Sequence, residues 1–264
     1  MNFSNKVVWV TGASSGIGEA LALELSKQNA QLILSSRNRE SLEKVKANCS
    51  KPELVKILPL DLEKYEQFDA IVKEALSFFG TIDILVNNGG VSQRAKAIDT
   101  ALAVDKRIMD INYMGTVALS KALLPYFISS KKGHFVVVTS VVGKVATPVR
   151  STYAASKHAL HGFFDSLRAE TFNDGLKVTL ICPGYVRTKL SFNALVGDGS
   201  LQNKMDPATD KGILPEVFAK KMMHAIAQEK REVIIGGTKE TASVYLKRFF
   251  PGLLSKIIRK VNVT

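Results

Sequence analysis

Cysteine is scarce. The 264 residues hold two, Cys49 and Cys182, far apart and in no Cys-x-x-Cys spacing. That excludes a disulfide framework and a thiolate zinc site and fits a reducing compartment. The four histidines, His134, His158, His161 and His224, form no ligand spacing with a cysteine or a carboxylate cluster. No metal is expected, and each histidine reads as a surface or packing residue. No window of about 18 uninterrupted apolar residues occurs, so no membrane-spanning helix is predicted. Residues 1–6 lead straight into an apolar strand without the ~7–15-residue apolar region of a secretory signal, so the expected location is the cytoplasm. Fixed-period repeats and low-complexity tracts are absent. So are nucleic-acid recognition motifs, and nucleic acid is not an expected partner. Acidic residues are few, 24 against 36 basic ones, for a net charge of +12. This balance favours anionic partners: phosphates, acidic proteins or lipid surfaces.

Apolar residues make up 46% of the chain and charged ones 23%, enough to build a large core and too apolar for disorder. Short apolar runs predict strands over 7–10, 32–34, 55–60, 82–86, 135–139, 178–181 and 233–235. Helical spacing predicts helices over 17–28, 39–49, 64–79, 103–130, 151–172 and 215–228. Strand–helix alternation on this scale implies an α/β fold, a parallel sheet of about seven strands with helices on both faces, in a single domain. The predicted catalytic unit covers 1–237, with residues 238–264 as a basic C-terminal extension. Residues 185–213 break the rhythm as a long connection, which in a compact domain usually serves substrate.

The first strand ends in Thr11-Gly12-Ala13-Ser14-Ser15-Gly16-Ile17-Gly18. Glycines at a strand–helix junction permit a tight turn and let a pyrophosphate approach the backbone, and helix N-terminal amides then face it. The bland alternative is a glycine turn with no ligand. Past the second strand, Ser36 and Arg37 suit a 2′-phosphate where a carboxylate would suit a free ribose; Arg39 is a second candidate. Asp61 after the third strand is either an acceptor for an adenine amino group or a helix cap. Asn87-Asn88-Gly89-Gly90 follows the fourth strand and allows close backbone approach, or is an ordinary turn. Tyr153 and Lys157 stand four apart and share one helix face. A phenol with a pKa of about 10 is a poor base at neutral pH. A nearby ammonium and a nicotinamide's positive charge lower it, making the pair an acid/base for a carbonyl oxygen. Such spacing also arises by chance on any helix.

Together these motifs resemble the short-chain dehydrogenase/reductase family over about residues 5–237. The glycine loop is similar to its TGxxxGxG, residues 87–90 to its NNAG with Gly90 in place of Ala, and Ser140 with Tyr153 and Lys157 to its Ser and YxxxK elements. Pro183-Gly184 with Thr188 beyond is similar to its PG motif. The resemblance implies a doubly wound, Rossmann-type sheet and an oxidoreductase acting on a carbonyl or secondary alcohol. It implies that Tyr153 protonates the substrate oxygen, that Lys157 lowers its pKa and holds the ribose, that Ser140 orients the carbonyl, and that Asn112 holds a water in a proton relay. NADP(H), preferred through Arg37, is expected to lie against Gly12, Ser14, Ser15, Gly16, Ile17 and Gly18. Its further contacts are expected at Ser36, Asp61, Leu62, Asn88, Gly89 and Gly90, then at Pro183, Gly184, Val186 and Thr188. A homodimer or homotetramer through the helices of Asn112 and Tyr153 is also implied. The segment 87–94 and the basic tail have a looser similarity to a membrane-associated branch acting on retinoids and steroids, whose usual N-terminal anchor is not among residues 1–6.

The tail carries six basic side chains over 239–264 against Glu240 alone. Apolar residues recur at steps of four from Tyr245 to Val261, and Pro251 is expected to divide the segment into two short helices. The expectation is a segment packed on the core or a partner with a solvated basic face; the alternative is peripheral contact with anionic lipid through 244–261. Three functions fit: a reductase of a lipophilic carbonyl compound, a 3-oxoacyl reductase using an acidic carrier protein, and a non-catalytic NADP(H)-binding sensor or membrane-surface protein.

Overall fold

Every residue of β1 (Val7–Thr11) is buried, and its side chains divide between two cores. Val8 and Val10 enter one, Val7 and Trp9 the other, as a period of two requires. A strand buried on both faces belongs inside a parallel sheet. The computed structural model, which describes residues 3–260, places β1 near the middle of one. The other strands are β2 (Gln31–Ser35), β3 (Val55–Ile57), β4 (Ile84–Asn87), β5 (Gly133–Val138), β6 (Leu176–Pro183) and β7 (Glu232–Ile235). Their order is β3-β2-β1-β4-β5-β6-β7 and every pairing is parallel. The order reverses between β1 and β4, so a crevice opens at their carboxyl ends, the usual ligand position in such sheets.

One face is covered by α1 (Gly16–Ser26), α2 (Arg39–Ala47) and α8 (Pro215–Ala227), through residues such as Leu21, Leu42 and Phe218. The other is covered by α3 (Phe68–Phe79), α5 (Gly115–Ser130) and α6 (Ser151–Glu170), through Val72, Phe127 and Phe164. The doubly wound, Rossmann-type single domain implied by the sequence is the observed fold.

Boundaries differ from the periodicity in two informative places. The strand expected over 55–60 ends at Ile57. Leu58 and Leu60 still donate to Leu34 and Ser36 at 3.0 and 3.1 Å. The helix expected over 103–130 is two, α4 (Leu102–Met109) and α5, joined by a π turn over Asp110–Met114. Such single wide turns recur at functional sites. Beyond β7 the chain forms α9 (Thr238–Phe249) and α10 (Pro251–Ile258), with Pro251 at the start of the second. The short α7 (Pro207–Asp210) lies within the connection 185–213. Val261 lies outside the described residues. Among them, no helix is long and apolar enough to cross a membrane.

Candidate active site

The loops after β1 and β4 are built against each other. Thr11 Oγ1 accepts from the Asn88 and Gly89 amides, each at 3.0 Å, and Asn88 Nδ2 donates to the carbonyls of Thr11 and Gly12 at 3.0 and 3.1 Å. Gly12 has φ +62°, and a Cβ on it would fall 2.8 Å from Gly89 Cα. A Cβ on Gly18 would fall 2.3 Å from the Gly12 carbonyl oxygen. Side chains are excluded on steric grounds, and the ordinary-turn reading of residues 87–90 gives way to a braced double loop. Ser14, Ser15, Gly16 and Ile17 line a cavity of about 1510 Å³ at the amino end of α1, where unpaired amides favour an anion. Gly18 does not line it but packs behind. Gly90 is exposed rather than buried; a methyl there would lie 2.9 Å from Asn112 Oδ1.

Ser36, Arg37, Asp61, Leu62, Asn88 and Gly89 line the same cavity. Arg37 is exposed, whereas Arg39 lies 4.0 Å from Glu43 along α2 and leaves Arg37 as the candidate for a phosphate. Asp61 braces a turn and caps no helix, since its Oδ1 accepts from the Glu63 amide at 3.1 Å and the next helical turn begins at Tyr65; it also borders the cavity. On the far side stand Pro183, Gly184, Val186 and Thr188. A Cβ on Gly16 would touch the Thr188 methyl at 3.0 Å, so this segment closes over the glycine loop. The volume exceeds the ~300–1,000 Å³ of a pocket for one small molecule and suits a dinucleotide with a second ligand beside it.

Ser140, Tyr153 and Lys157 share that second region. Ser140 caps the turn over Val141–Gly143, its Oγ accepting from the Val142 amide at 3.1 Å, so its own O–H stays available to donate. Lys157 Nζ donates to the Val138 carbonyl at 2.9 Å and stands 5.9 Å from the centre of the Tyr153 ring. Burial lowers the Lys157 pKa to about 8. Charges other than that of Lys157 act on the phenol in this structure. Burial raises Tyr153 above its ordinary value, and the opposing influences are the Ser140 hydrogen bond and then the charges of Arg150 and Arg94. A phenol held neutral is a proton donor at physiological pH.

Asn112 is placed differently from its implied role. Its Oδ1 accepts from the Val91 amide at 2.8 Å, and its Nδ2 donates to the Val91 carbonyl at 2.9 Å and to Ser156 Oγ at 3.1 Å. The side chain clamps the β4 loop to α6 and does not line the cavity. The adjacent π turn, with the Gly115 amide bonded back to Asp110, is where its backbone departs from a regular helix.

Two groups escaped sequence reasoning. Gln93 is fully buried, and its Oε1 accepts from the amides of Thr152 and Tyr153 at 2.9 and 3.3 Å, capping α6 where the tyrosine projects. Arg94 donates through Nε and Nη2 to Asp206 Oδ2 at 2.8 and 2.5 Å, and Arg150 Nη2 reaches the same oxygen at 3.3 Å. Both guanidiniums line the cavity. Two cations thus share one carboxylate beside Tyr153. The partners lie 112 and 56 positions apart, so no spacing pattern exposes them.

The fold brings His161, Cys182 and Glu232, far apart in sequence, within 4.8 Å of one another. His161 turns Nε2 to Cys182 at 3.9 Å and Nδ1 to Glu232 at 3.4 Å, opposite edges of the ring that do not converge on one ion. Burial pushes the Cys182 thiol up to about 12, against thiolate ligation. His161, and then Lys144 at 2.6 Å, hold Glu232 at about 2. The cluster braces α6 against β6 and β7.

Residues 6–195 match the family described as short chain dehydrogenase. The chain belongs to that family. Its members are oxidoreductases that use a nicotinamide cofactor. A dehydrogenase/reductase SDR family protein 7-like from Anopheles gambiae is 43% identical, covering 98% of this chain and 84% of its own. A dehydrogenase/reductase SDR family member 7B from Xenopus laevis is 40% identical, covering 96% and 80%. Among solved structures, a short-chain dehydrogenase from Streptomyces avermitilis superimposes with a TM-score of 0.81 at 27% identity, over 98% of this chain and 100% of its own. A family protein from Burkholderia phymatum, in complex with NAD, gives 0.82 at 23% over 100% and 98% and speaks to the fold alone.

Proposed function

We propose that this family member is an NADP(H)-dependent reductase that interconverts a carbonyl group and a secondary alcohol on a lipophilic small molecule. The observation that carries the reading is one cavity lined both by the glycine cradle with Arg37 and by Ser140, Tyr153 and Lys157. The cradle fits a dinucleotide, because its backbone approaches leave no room for a Cβ at Gly12 or Gly18. When bound, the nicotinamide supplies or accepts the hydride at the substrate carbon.

During reduction Tyr153 gives its proton to the substrate oxygen, and the O–H of Ser140 turns from the phenol to hydrogen-bond that oxygen and keep it in line. Lys157 has two N–H donors left after its bond to Val138, enough to hold ribose hydroxyls. Apolar walls from Leu190, Leu195, Leu246 and Ile258 favour a greasy substrate. Leu102 at the start of α4 and Met114 in the π turn before α5, both exposed, support a homo-oligomer through these helices.

Fluorescence titration with NADPH and NADH tests the cofactor. NADPH is expected to bind more tightly, and Arg37→Asp to weaken NADPH selectively by roughly 1–3 kcal/mol through loss of a charge-assisted bond. Equal effects on both would remove Arg37 from the phosphate position, and no binding of either would overturn the reading. A panel of lipophilic and polar ketones then tests the substrate class.

A further inference from the structure

The C-terminal helices have two unlike faces. Leu246, Leu254, Ile257 and Ile258 line the cavity. Lys247 anchors the segment to the core, donating to the Lys144 carbonyl at 2.6 Å and lying 3.4 Å from His158 Nε2. The outer face carries large apolar side chains in water. Phe249 and Phe250 are 68% and 63% exposed, and Tyr245 and Leu253 are more than half exposed. Arg248, Lys256, Arg259 and Lys260 are exposed among them. Leu190 and Leu201, from the connection after β6, line the cavity and are themselves 41% and 48% exposed. Apolar side chains therefore run from solvent into the cavity interior.

We infer that α9 and α10 dock on the surface of an anionic lipid bilayer, setting the mouth of the cavity against the membrane. An aromatic and aliphatic face flanked by cations has the chemistry of an interfacial helix, which buries rings at the headgroup level and pairs charge with acidic lipid. Charge also decides against a second copy of the chain. A two-fold contact sets a patch against itself, and would oppose Arg248, Lys256, Arg259 and Lys260 to their own copies with Glu240 as the segment's one acidic residue. The docking requires neither cofactor nor substrate. Only its consequence, that a lipophilic substrate enters from the bilayer without crossing water, rests on the function proposed above.

Co-sedimentation of the full chain with vesicles tests the inference. Vesicles of phosphatidylcholine containing phosphatidylserine are expected to bind it, those of phosphatidylcholine alone far less, and added salt to weaken binding. Arg248→Gln with Lys256→Gln is expected to cut the partition coefficient roughly thirtyfold, the effect of about two removed interfacial cations. Phe249→Ser with Phe250→Ser and Leu253→Ser is expected to abolish binding while leaving NADPH affinity unchanged, since these side chains do not line the cavity. Equal binding to both vesicle types, or binding indifferent to both variants, would overturn the inference. So would a wild type that ignores vesicles but is dimeric in solution and becomes monomeric with the three serines, which would assign the face to a second copy. Because the readout is vesicle binding by the free protein, its failure is distinct from failure of the oxidoreductase reading.

Discussion

At Tyr153 burial and charge act in opposite directions. Removal from water raises the phenol's pKa, while the Ser140 hydroxyl, Arg150 and Arg94 pull it back. Reduction needs the neutral phenol and oxidation the phenolate. The rate of carbonyl reduction is therefore expected to stay flat through neutral pH and fall only on the alkaline side. Alcohol oxidation should rise with pH over the same range. Profiles of kcat/KM in the two directions check this, and a reduction rate that declines from pH 7 would contradict it. Tyr153→Phe keeps the ring's packing and removes the proton. Turnover is expected to fall by about 10²–10⁴, with NADPH binding largely intact in the fluorescence titration; retained turnover would remove Tyr153 as the acid. The Tyr153–Lys157 pair could be read from sequence because four residues are about one helical turn. The sign of the tyrosine's shift could not, because desolvation and the arginines belong to the folded environment.

The elements carry these side chains through a few long-range polar clamps. Gln93, at the end of the β4 loop, caps the first turn of α6, and Asn112 pins that loop to α6 from the π turn. Gln93→Ala leaves buried amides of α6 without an acceptor, a cost of roughly 1–3 kcal/mol, and frees the helix end that presents Tyr153. The expected outcome is a lower melting temperature and a lower kcat with little change in NADPH affinity, because the glycine cradle is held separately by Thr11 and Asn88. A loss confined to stability, with kcat unchanged, would make Gln93 purely structural. Strand and helix order was legible from periodicity. The π turn was not, because the hydrophobic pattern over 103–130 continues through it.

For the whole molecule, acid sensitivity follows from buried histidine and paired carboxylate. His134 is held neutral by burial, its pKa lowered from the ordinary 6.5 to about 4. Between those values the unfolded chain binds a proton that the folded chain refuses. Stability is therefore complete above about pH 6.5 and is lost as pH falls toward 4. Glu232, held at about 2 by His161 and Lys144, contributes stability above about pH 4.5 that disappears below it. From pH 6.5 to 5 the histidine alone is worth about 2 kcal/mol, some 5 °C in melting temperature for a chain of this size. His134→Gln, which can keep the bond to Thr179 Oγ1 at 2.8 Å, is expected to flatten the melting curve over that interval. An unchanged slope would assign the acid lability elsewhere.

The sequence by itself determined the parallel sheet, because strand and helix periodicity is short-range, and it offered the glycine loop and the Tyr153–Lys157 pair as candidates, to which the family resemblance added Ser140. Tertiary structure alone decided the rest. It brought Arg94 and Arg150 onto Asp206 across the chain, joined His161 to Cys182 and Glu232, withdrew Asn112 and Gly18 from the cavity, and turned one face of the tail inward and the other to solvent. The physical reason is range: periodicity reports which face of an element is buried, whereas charge pairing, desolvation and the shape of a cavity depend on which distant segments the packed core brings together.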